Sequence, residues 1–326
     1  LSSSKVLKNN NFKKVIHQFF PIDTNFLVKK FIDYWKPSKA LFIDSEFWPN
    51  TILNLNKKKI PLILINGRIT KKTFNRWNKF SDFSKNIFKN FNLCLSSSKE
   101  SYGHLKKLNF KNIKFIGNLK YSQAESENLY LNKNLNKFLS INNSWCASST
   151  HDSEEFIIGQ THKILKKKIK KLVTVIIPRH IERCTIIKKD LEKLNLKVHL
   201  DEPKKKINPK IDIYLVNSYG KTKSFYKKCN NVFLGGSLIE HGGQNPLEAA
   251  RYGCSIINGP NVQNFKEIYE YLRKNNISTS IKKNKELADQ LYKLFKSKDN
   301  PKKIQNRIKK IGNQILKKTN NEIFVK

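Results

Sequence analysis

The chain alternates short apolar runs with longer segments in which apolar residues recur at helical spacing. The apolar runs are rich in Ile, Leu and Val, which is typical of parallel strands that are buried on both faces. The segments between them, such as Thr24 to Trp35, predict amphipathic helices. Strand followed by helix, repeated along the chain, predicts an α/β fold with helices on both faces of parallel sheets. The strands are predicted at 40–44, 61–65, 92–95, 113–116, 145–148, 172–177, 197–200, 211–216, 231–234 and 254–257.

The alternation is interrupted once, at residues 122–143. This stretch is polar, rich in Asn and without a strand-like run, so we interpret it as a linker. A chain of 326 residues can bury two cores. We therefore predict two doubly wound, Rossmann-like domains, at residues 1–135 and 144–326, that face each other across a cleft.

Most of the unusual polar and glycine residues directly follow a predicted strand. The carboxyl ends of parallel strands meet at one edge of a sheet, which is where ligands bind in such folds. Two domains with this organisation suit a nucleotide-sugar glycosyltransferase of the GT-B type. The residues in question are Glu46, Asn66, Arg68, Lys120, His151, Arg179, Ser218, Gly236 and Gly259.

The most unusual stretch is residues 233–248, FLGGSLIEHGGQNPLE, which contains two Gly-Gly pairs. It predicts a strand, a glycine loop and a helix N-terminus, with Asn245 as the helix cap and Pro246 at the first helical position. Glycines allow close approach of a ligand, and a helix N-terminus presents unpaired N–H groups, so the pattern favours an anion, in particular a phosphate. Glu248 is then placed to accept hydrogen bonds from sugar hydroxyls. The alternative interpretation is an ordinary tight turn.

A second candidate anion site is Pro178-Arg179-His180, which follows a predicted strand. A guanidinium there can bind a phosphate through two parallel hydrogen bonds, and Arg183 can support it. The alternative is a solvated helix start with an Arg–Glu pair. Thr150-His151 fits either a helix cap or a contact to a phosphate or hydroxyl.

The segment Asp44-Ser-Glu46 offers two carboxylates for acid–base chemistry or for stabilising positive charge on a sugar. The alternative is that Asp44 caps the next helix and Trp48 lies in the core, and composition alone does not separate the two. Lys120 offers a cation for the same cleft, although a single Lys is usually a solvated charge. No Ser/His/Asp triad and no metal-binding spacing is present, so we predict no metal and no cofactor.

The net charge of +39 favours an acidic partner, which can be nucleic acid, an anionic membrane or an acidic substrate. The lysines are spread along the whole chain together with many Asn and Ile residues, which points to A/T-rich codon usage as much as to one partner. A nucleic-acid-binding protein would need clustered lysines and stacking aromatics, so we expect no nucleic acid. The five cysteines lack C-x-x-C spacing, which predicts reduced and mostly buried thiols rather than disulfides or a zinc site.

Taken together, these motifs resemble the 3-deoxy-D-manno-octulosonic acid (Kdo) transferase family of lipopolysaccharide synthesis. The resemblance implies the GT-B fold, CMP-Kdo as donor, a lipid A precursor as acceptor, no metal, and attachment to the anionic cytoplasmic face of the inner membrane. The matching stretches, in the family's order, are HQFFPID (17–23), DSEFWPN (44–50), LINGRIT (64–70), IGNLKY (116–121), ASSTHDSEE (147–155), IIPRHIER (176–183), FLGGSLIEHGGQNPLEAA (233–250) and NGPNVQNF (258–265).

The resemblance also assigns roles to residues of this chain. It implies that Glu46 and Lys120 stabilise the transition state, and it implies a second set of positions that bind the donor. Those donor positions are Pro178, Arg179, Ser218, Tyr219, Gly220, Lys221, Gly236, Asn245, Pro246, Leu247 and Glu248.

Three departures from the family pattern qualify these expectations. The family's general base lies in a Gly-Ser-Val-Gly-Glu segment that has no counterpart here, so we expect an N-terminally truncated first domain. Lys221 stands where the family usually has Glu, which changes one expected donor contact, and Gln244 stands where it has His, which keeps a hydrogen-bonding side chain. The alternatives are a GT-B enzyme that uses another nucleotide sugar and a basic nucleic-acid-binding protein.

Overall fold

Every strand of the described chain runs parallel to its neighbours, as the apolar runs predict. The computed structural model describes residues 12, 14–123, 131–202, 206–297 and 300–324. The chain divides into an N-terminal unit, residues 1–119 together with 315–326, and a C-terminal unit, residues 120–314. Each unit contains its own sheet.

The N-terminal unit has a four-stranded sheet in the order β1-β2-β3-β4. Its elements are α1 Asn25–Trp35, β1 Ala40–Ile43, α2 Pro49–Lys57, β2 Leu62–Gly67, α3 Lys71–Asn78, α4 Ser81–Phe88, β3 Leu93–Ser96, α5 Lys99–Lys107 and β4 Ile113–Phe115. The chain moves across this sheet in one direction, from β1 to β4. Because crossovers between parallel strands are right-handed, the helices then lie on one face of the sheet. On that face, Phe42, Leu62 and Leu64 pack against α1, α2, α4 and α5.

Ile323, near the C-terminus, packs on the opposite face of this sheet, against Ile63 and Ile65 of β2 and Leu93 and Leu95 of β3. The last twelve residues therefore group with the N-terminal unit, whereas the sequence assigns them to the second domain. On the same face, Leu41 and Ile43 of β1 are 45% and 57% exposed. The prediction that this first strand is buried is thus wrong, because β1 is an edge strand with only one covered face.

The C-terminal unit has a seven-stranded sheet in the order β11-β10-β9-β5-β6-β8-β7. Helices α7, α8 and α12 cover one face through the core that includes Ile158, Leu191 and Leu287. Its elements are a 3-10 turn Leu119–Ser122, α6 Lys133–Ile141, β5 Asn143–Thr150, α7 Glu154–Lys166, β6 Leu172–Pro178, a 3-10 turn Ile181–Arg183, α8 Cys184–Lys193, β7 Val198–Leu200, β8 Ile213–Leu215, α9 Thr222–Lys228, β9 Asn231–Leu234, α10 Leu247–Arg251, β10 Ser255–Asn258, a 3-10 turn Gln263–Phe265, α11 Lys266–Lys274, β11 Ser278–Ser280, α12 Asn284–Lys296 and α13 Pro301–Phe324, which continues into the N-terminal unit.

The strand order of this sheet reverses beside β5. The chain moves from β5 to β6 in one direction and from β9 to β10 in the other. The loops that follow β5 and β9 therefore separate toward opposite faces and leave a crevice, which is the usual ligand position in an open α/β sheet.

The predicted linker contains a helix that the sequence reasoning missed. Helix α6 begins at the cap Asn132, whose side chain accepts a hydrogen bond from the Leu135 amide at 2.7 Å. Leu135, Phe138 and Leu139 are buried, and their helical spacing was hidden among asparagines. Residues 124–130 of the predicted linker lie outside the described residues.

The five cysteines are free and buried, as predicted. Burial raises the pKa of the thiols of Cys94 and Cys229 to about 12, and that of Cys184 to about 11.

None of the helices in the described part of the chain has the length and apolar character of a membrane span.

Asp212, which directly precedes β8, ties the amino edge of the second sheet together. Its carboxylate accepts hydrogen bonds from His162 Nε2 at 3.3 Å, from the Lys197 amide at 2.9 Å and from Lys166 Nζ. Burial opposes ionisation, but these donors hold the pKa of Asp212 well below its usual range.

We expect Asp212→Asn to lower the Tm at neutral pH by about 2 °C or more. The folded pKa is depressed, so the stabilisation is present above the unfolded value of about 3.9 and is lost as the pH falls toward the folded value. Thermal unfolding from pH 7 to pH 3 measures this, and the gap between wild type and variant must shrink below pH 4. The control is Asp190→Asn, which removes an exposed pair with Lys193; an equal effect of both variants would contradict the prediction.

Candidate active site

The candidate site lies at the carboxyl edge of the sheet in the C-terminal unit, at the crevice between β5 and β9. The loop 151–153 follows β5 and leads into α7, and the glycine loop 235–246 follows β9. The adjacent strand β6 ends in Pro178, and Arg179 donates its backbone N–H to the Thr150 carbonyl at 2.9 Å. Residues from three different motifs are thereby brought to one edge.

Glu154, at the first position of α7, fixes the glycine loop. Its carboxylate is fully buried and accepts hydrogen bonds from the amides of Gly236 at 2.8 Å, Ser237 at 3.1 Å and Leu238 at 3.0 Å. It also accepts one from the His151 amide at 2.9 Å. From the sequence we predict that the amides of this loop bind a ligand phosphate. In the structure, these three amides donate to the carboxylate of Glu154 instead.

The first Gly-Gly pair is required by close backbone packing. A Cβ on Gly235 would lie 2.4 Å from the Ser149 carbonyl oxygen, because β9 ends against the end of β5. Gly236 has a φ of +65°, in the left-handed region where a side chain is strained. The glycines therefore let two strand ends approach each other and aim the loop toward Glu154.

Three histidines gather over the centre of this edge. The ring of His151 lies 4.3 Å from that of His241 and 6.2 Å from that of His180, measured between centroids. Nδ1 of His151 is 3.0 Å from the Ser149 carbonyl, while its buried Nε2 has no hydrogen-bond partner among the described residues. Burial, and then the neighbouring His241, lower the pKa of His151, which favours the neutral form of the ring.

The two arginines of the Pro178–Arg183 segment have different environments. Arg183 donates to Glu155 at 2.9 Å and to Asp152 at 2.6 Å, and these bonds raise its pKa although burial opposes them. Arg183 is thus a structural ion-pair residue, which contradicts its expected support of a phosphate. Arg179 is exposed and makes no ion pair with any described residue, so it remains available to an anion.

The segment Ser218–Lys221 follows β8. Ser218 Oγ and Lys221 Nζ both donate to Asp201, at 3.2 Å and 2.5 Å. Tyr219 is exposed, and its hydroxyl donates to Glu182 at 3.2 Å. Desolvation, and then Glu182, raise the pKa of Tyr219, whereas the charge of Arg179 lowers it.

The end of the glycine loop forms the predicted helix start, one residue later than expected. Asn245 Oδ1 accepts a hydrogen bond from the Leu247 amide at 3.1 Å, and Pro246 occupies the cap position before the short helix α10. Glu248 is half-buried and lies 3.5 Å from Lys223 Nζ. The Gln244 carbonyl accepts a hydrogen bond from the Tyr269 hydroxyl at 2.9 Å, which anchors the backbone of this turn.

In the N-terminal unit, the two carboxylates of the Asp44–Glu46 segment have separate environments. Asp44 accepts a hydrogen bond from Asn66 Nδ2, and Asn66 Oδ1 in turn accepts from the Leu119 amide at 2.9 Å. Glu46 is exposed on the loop between β1 and α2, so it is the one that faces solvent.

The expected alternative for this segment is wrong in both parts. The N-cap position of α2 is Trp48, and the amides of Asn50 and Thr51 in its first turn donate to the carboxylate of Asp23, both at 2.9 Å. Trp48 is 39% exposed and packs on Phe20 rather than in the core.

Lys120 lies in the 3-10 turn after β4, at the start of the C-terminal unit. It is half-buried, and its carbonyl accepts a hydrogen bond from Arg251 Nη1 at 2.7 Å. Among the described residues, no group of His, Cys, Asp or Glu has an arrangement that could hold a metal ion.

Sequence reasoning missed two carboxylates of this site, Glu154 and Asp201. Glu154 entered the sequence interpretation only as part of the matched stretch ASSTHDSEE (147–155), and Asp201 was not singled out. A signal existed for Asp201, because it directly follows a predicted strand, as Asp44 does. For Glu154 no local signal exists, since its partners are about 80 residues away in the chain.

Comparison with known proteins agrees with the ordered motifs. A family model described as 3-deoxy-D-manno-octulosonic-acid transferase (kdotransferase) matches residues 1–123. The 3-deoxy-D-manno-octulosonic acid transferase of Rickettsia bellii is 32% identical over 298 residues, which are 90% of this chain and 70% of that protein. That of Rickettsia prowazekii is 33% identical over 302 residues, 90% of this chain and 64% of that protein. The chain thus spans about two thirds of the length of these relatives.

Among solved structures, a putative UDP-N-acetylglucosamine 2-epimerase from Listeria monocytogenes superposes with a TM-score of 0.60 at 14% identity, covering 98% of this chain and 86% of that one. This likeness concerns the fold alone. The chain has an α/β fold of the GT-B type, with Rossmann-like units, as the strand pattern predicts.

We expect Glu154→Gln to destabilise the protein by about 2 kcal/mol or more, because the introduced NH₂ group faces backbone N–H donors that then lack an acceptor. Urea unfolding measures the change. The matched control is Glu192→Gln on α8, whose exposed pair with Lys188 is worth about 0–1 kcal/mol. Equal unfolding midpoints for wild type and Glu154→Gln would show that the carboxylate does not fix the loop.

Proposed function

Because the chain belongs to the 3-deoxy-D-manno-octulosonic acid transferase family, we propose that it is a glycosyltransferase that moves Kdo from CMP-Kdo to a lipid A precursor. The observation that carries the proposal is Arg179, an exposed guanidinium without an ion-pair partner among the described residues, at the end of β6 beside the crevice. A guanidinium at this position recognises a phosphate by two parallel hydrogen bonds.

The donor contacts that we propose surround this arginine. Pro178 and Arg179 take the phosphate, Ser218, Tyr219 and Gly220 contact the nucleotide, and Glu248 takes ribose hydroxyls. Gly236 and Asn245 to Leu247 shape the wall of the donor site. The Gly236 amide donates to Glu154, so its contribution is the close approach that its missing side chain allows.

The departure of CMP is the step that these groups favour. Negative charge develops on the leaving phosphate, and fixed donors aimed at that charge stabilise the transition state. Glu46 and Lys120 are proposed to stabilise the charge that develops on the sugar and the phosphate. Each of them lies on a loop that directly follows a strand, Glu46 after β1 and Lys120 after β4.

We also propose attachment to the anionic cytoplasmic face of the inner membrane. Large apolar side chains of residues 15–27 are exposed, and Lys14, Lys29 and Lys30 flank them. A basic protein gains roughly 1 kcal/mol for each cation near an anionic bilayer, and exposed apolar side chains add to this at the interface. The exposed residues are Val15, Ile16, Phe19, Phe20, Ile22, Phe26 and Leu27.

CMP binding tests the donor site. We expect Arg179→Ala to raise the Kd for CMP by about ten- to a hundredfold, because a charged hydrogen bond is worth about 1.5–3 kcal/mol. Titration calorimetry with CMP, UMP and UDP measures both the affinity and the nucleotide preference. The control is Arg273→Ala, an exposed arginine on α11. A preference for a uridine nucleotide would favour the alternative GT-B enzyme, and unchanged CMP binding by a folded Arg179→Ala protein would refute the assignment.

Vesicle binding tests the membrane proposal. We expect binding to phosphatidylglycerol vesicles to exceed binding to phosphatidylcholine vesicles, and to weaken at least several-fold in Ile22→Ser/Phe26→Ser. The matched control is Ile186→Ser, which removes an exposed isoleucine on α8 (60% exposed). Sedimentation with vesicles measures the bound fraction, and equal binding to both lipids would count against an anionic surface.

A further inference from the structure

The carboxylate of Asp201 is the meeting point of three donors. Asp201 is 4% exposed and directly follows β7. Its Oδ1 accepts from the Tyr214 hydroxyl at 2.7 Å, and its Oδ2 accepts from Ser218 Oγ at 3.2 Å and Lys221 Nζ at 2.5 Å. Charged acceptors with several donors are among the strongest hydrogen-bonding arrangements in proteins.

The three donors belong to consecutive parts of one segment. Tyr214 lies within β8, Ser218 in the turn that follows it, and Lys221 directly before α9. The backbone of Asp201 is itself fixed, because its N–H donates to the Leu215 carbonyl at 2.8 Å. One rigid carboxylate therefore holds both ends of the turn 217–221.

Lys221 is neutralised by this contact. Its side chain is 36% exposed and that of Asp201 is 3% exposed. Among the described residues, the Lys221 ammonium is the ion-pair partner of this carboxylate. Removing it would leave a buried charge uncompensated, which is costly. An ammonium held at 2.5 Å by an internal carboxylate is a structural group rather than a ligand for a phosphate.

We infer that Asp201 is the positioning residue of the turn Ser218–Gly220, and that Lys221 acts on the donor only through its ion pair with Asp201. The inference rests on the proposed function in so far as this turn contacts the nucleotide.

Asp212 provides an internal control of the same chemistry. It is also a buried carboxylate that accepts from a lysine, Lys166, and from two further donors. It precedes β8, whereas Asp201 follows the adjacent strand β7, so the two carboxylates lie at opposite edges of the sheet. If the two carboxylates only stabilise the fold, substitution of either should lower the Tm. A change in the Kd for the nucleotide should appear only when Asp201 is substituted.

The experiment compares Asp201→Asn, Lys221→Ala, Lys221→Arg, the double variant Asp201→Asn/Lys221→Ala, and Asp212→Asn in the full chain. Titration with CMP gives the Kd, and hydrogen exchange of residues 217–224 gives the protection of the turn without any ligand. We expect Asp201→Asn to raise the Kd for CMP about tenfold and to lose protection of the turn. Lys221→Ala should shift both in the same direction, and Lys221→Arg should shift them less than Lys221→Ala, because arginine can keep the ion pair with Asp201. The double variant should be no worse than Asp201→Asn, since coupled residues are not additive. Asp212→Asn should lower the Tm and leave the Kd unchanged.

Two results would overturn the inference. One is that Asp201→Asn changes neither the hydrogen-exchange protection of the turn nor the Kd for CMP. The other is that both Lys221 variants lose CMP binding while Asp201→Asn binds CMP as the wild type does. That second result would make Lys221 a direct ligand of the nucleotide. If the wild type itself fails to bind CMP, the proposed function falls, while hydrogen exchange still decides whether Asp201 fixes the turn. Because the Lys221 side chain is partly exposed, its variants remain informative even if Asp201→Asn fails to fold.

Discussion

The hydrogen bonds from the glycine loop to Glu154 are the interaction on which the candidate site depends. They join the end of β9 to the start of the helix after β5, across the point where the strand order reverses. Without an acceptor, three buried amides would oppose this loop conformation, since a buried unpaired polar group costs about 1–3 kcal/mol. The glycines are the other half of the same constraint, because only a residue without a Cβ fits between the two strand ends.

Carboxylates that accept hydrogen bonds also fix other loops and helix starts of the molecule. In a chain with a net charge of +39, several buried or half-buried acidic side chains serve as anchors for loops and helix starts. Asp23 accepts from the first amides of α2, Asp44 holds Asn66, Asp201 holds the turn after β8, and Asp212 ties the amino edge of the sheet. Carboxylates suit this use because they only accept hydrogen bonds and can take several at once. These acidic residues are thereby tied to structure, while Arg179 stays exposed.

Much of the fold and part of the site could be predicted from residue patterns. The alternation of apolar runs and helical segments identified the α/β class and ten of the strands, and strand β11, with the sequence Ser-Thr-Ser, escaped because it has no apolar run. The free thiols also followed from local chemistry, whereas the helix after the glycine loop starts one residue later than predicted, with Pro246 rather than Asn245 at the cap position. By contrast, Arg183 was given an anion role that its partners Glu155 and Asp152 exclude, since residues close in sequence can have opposite surroundings. Helix α6 was hidden because its asparagines resemble those of a linker.

The sequence by itself determined the class of fold, the family motifs and their order, because these depend on periodicity and on residue types that are read locally. Only the tertiary structure decided which charges are free and which are already paired. Lys221 and Arg179 are both cations near the same strand ends, yet one is bound to a buried carboxylate and the other is exposed. That difference arises from side chains brought together across the sheet, as Asp201 and Lys221 are from adjacent strands, and local patterns carry no information about such contacts.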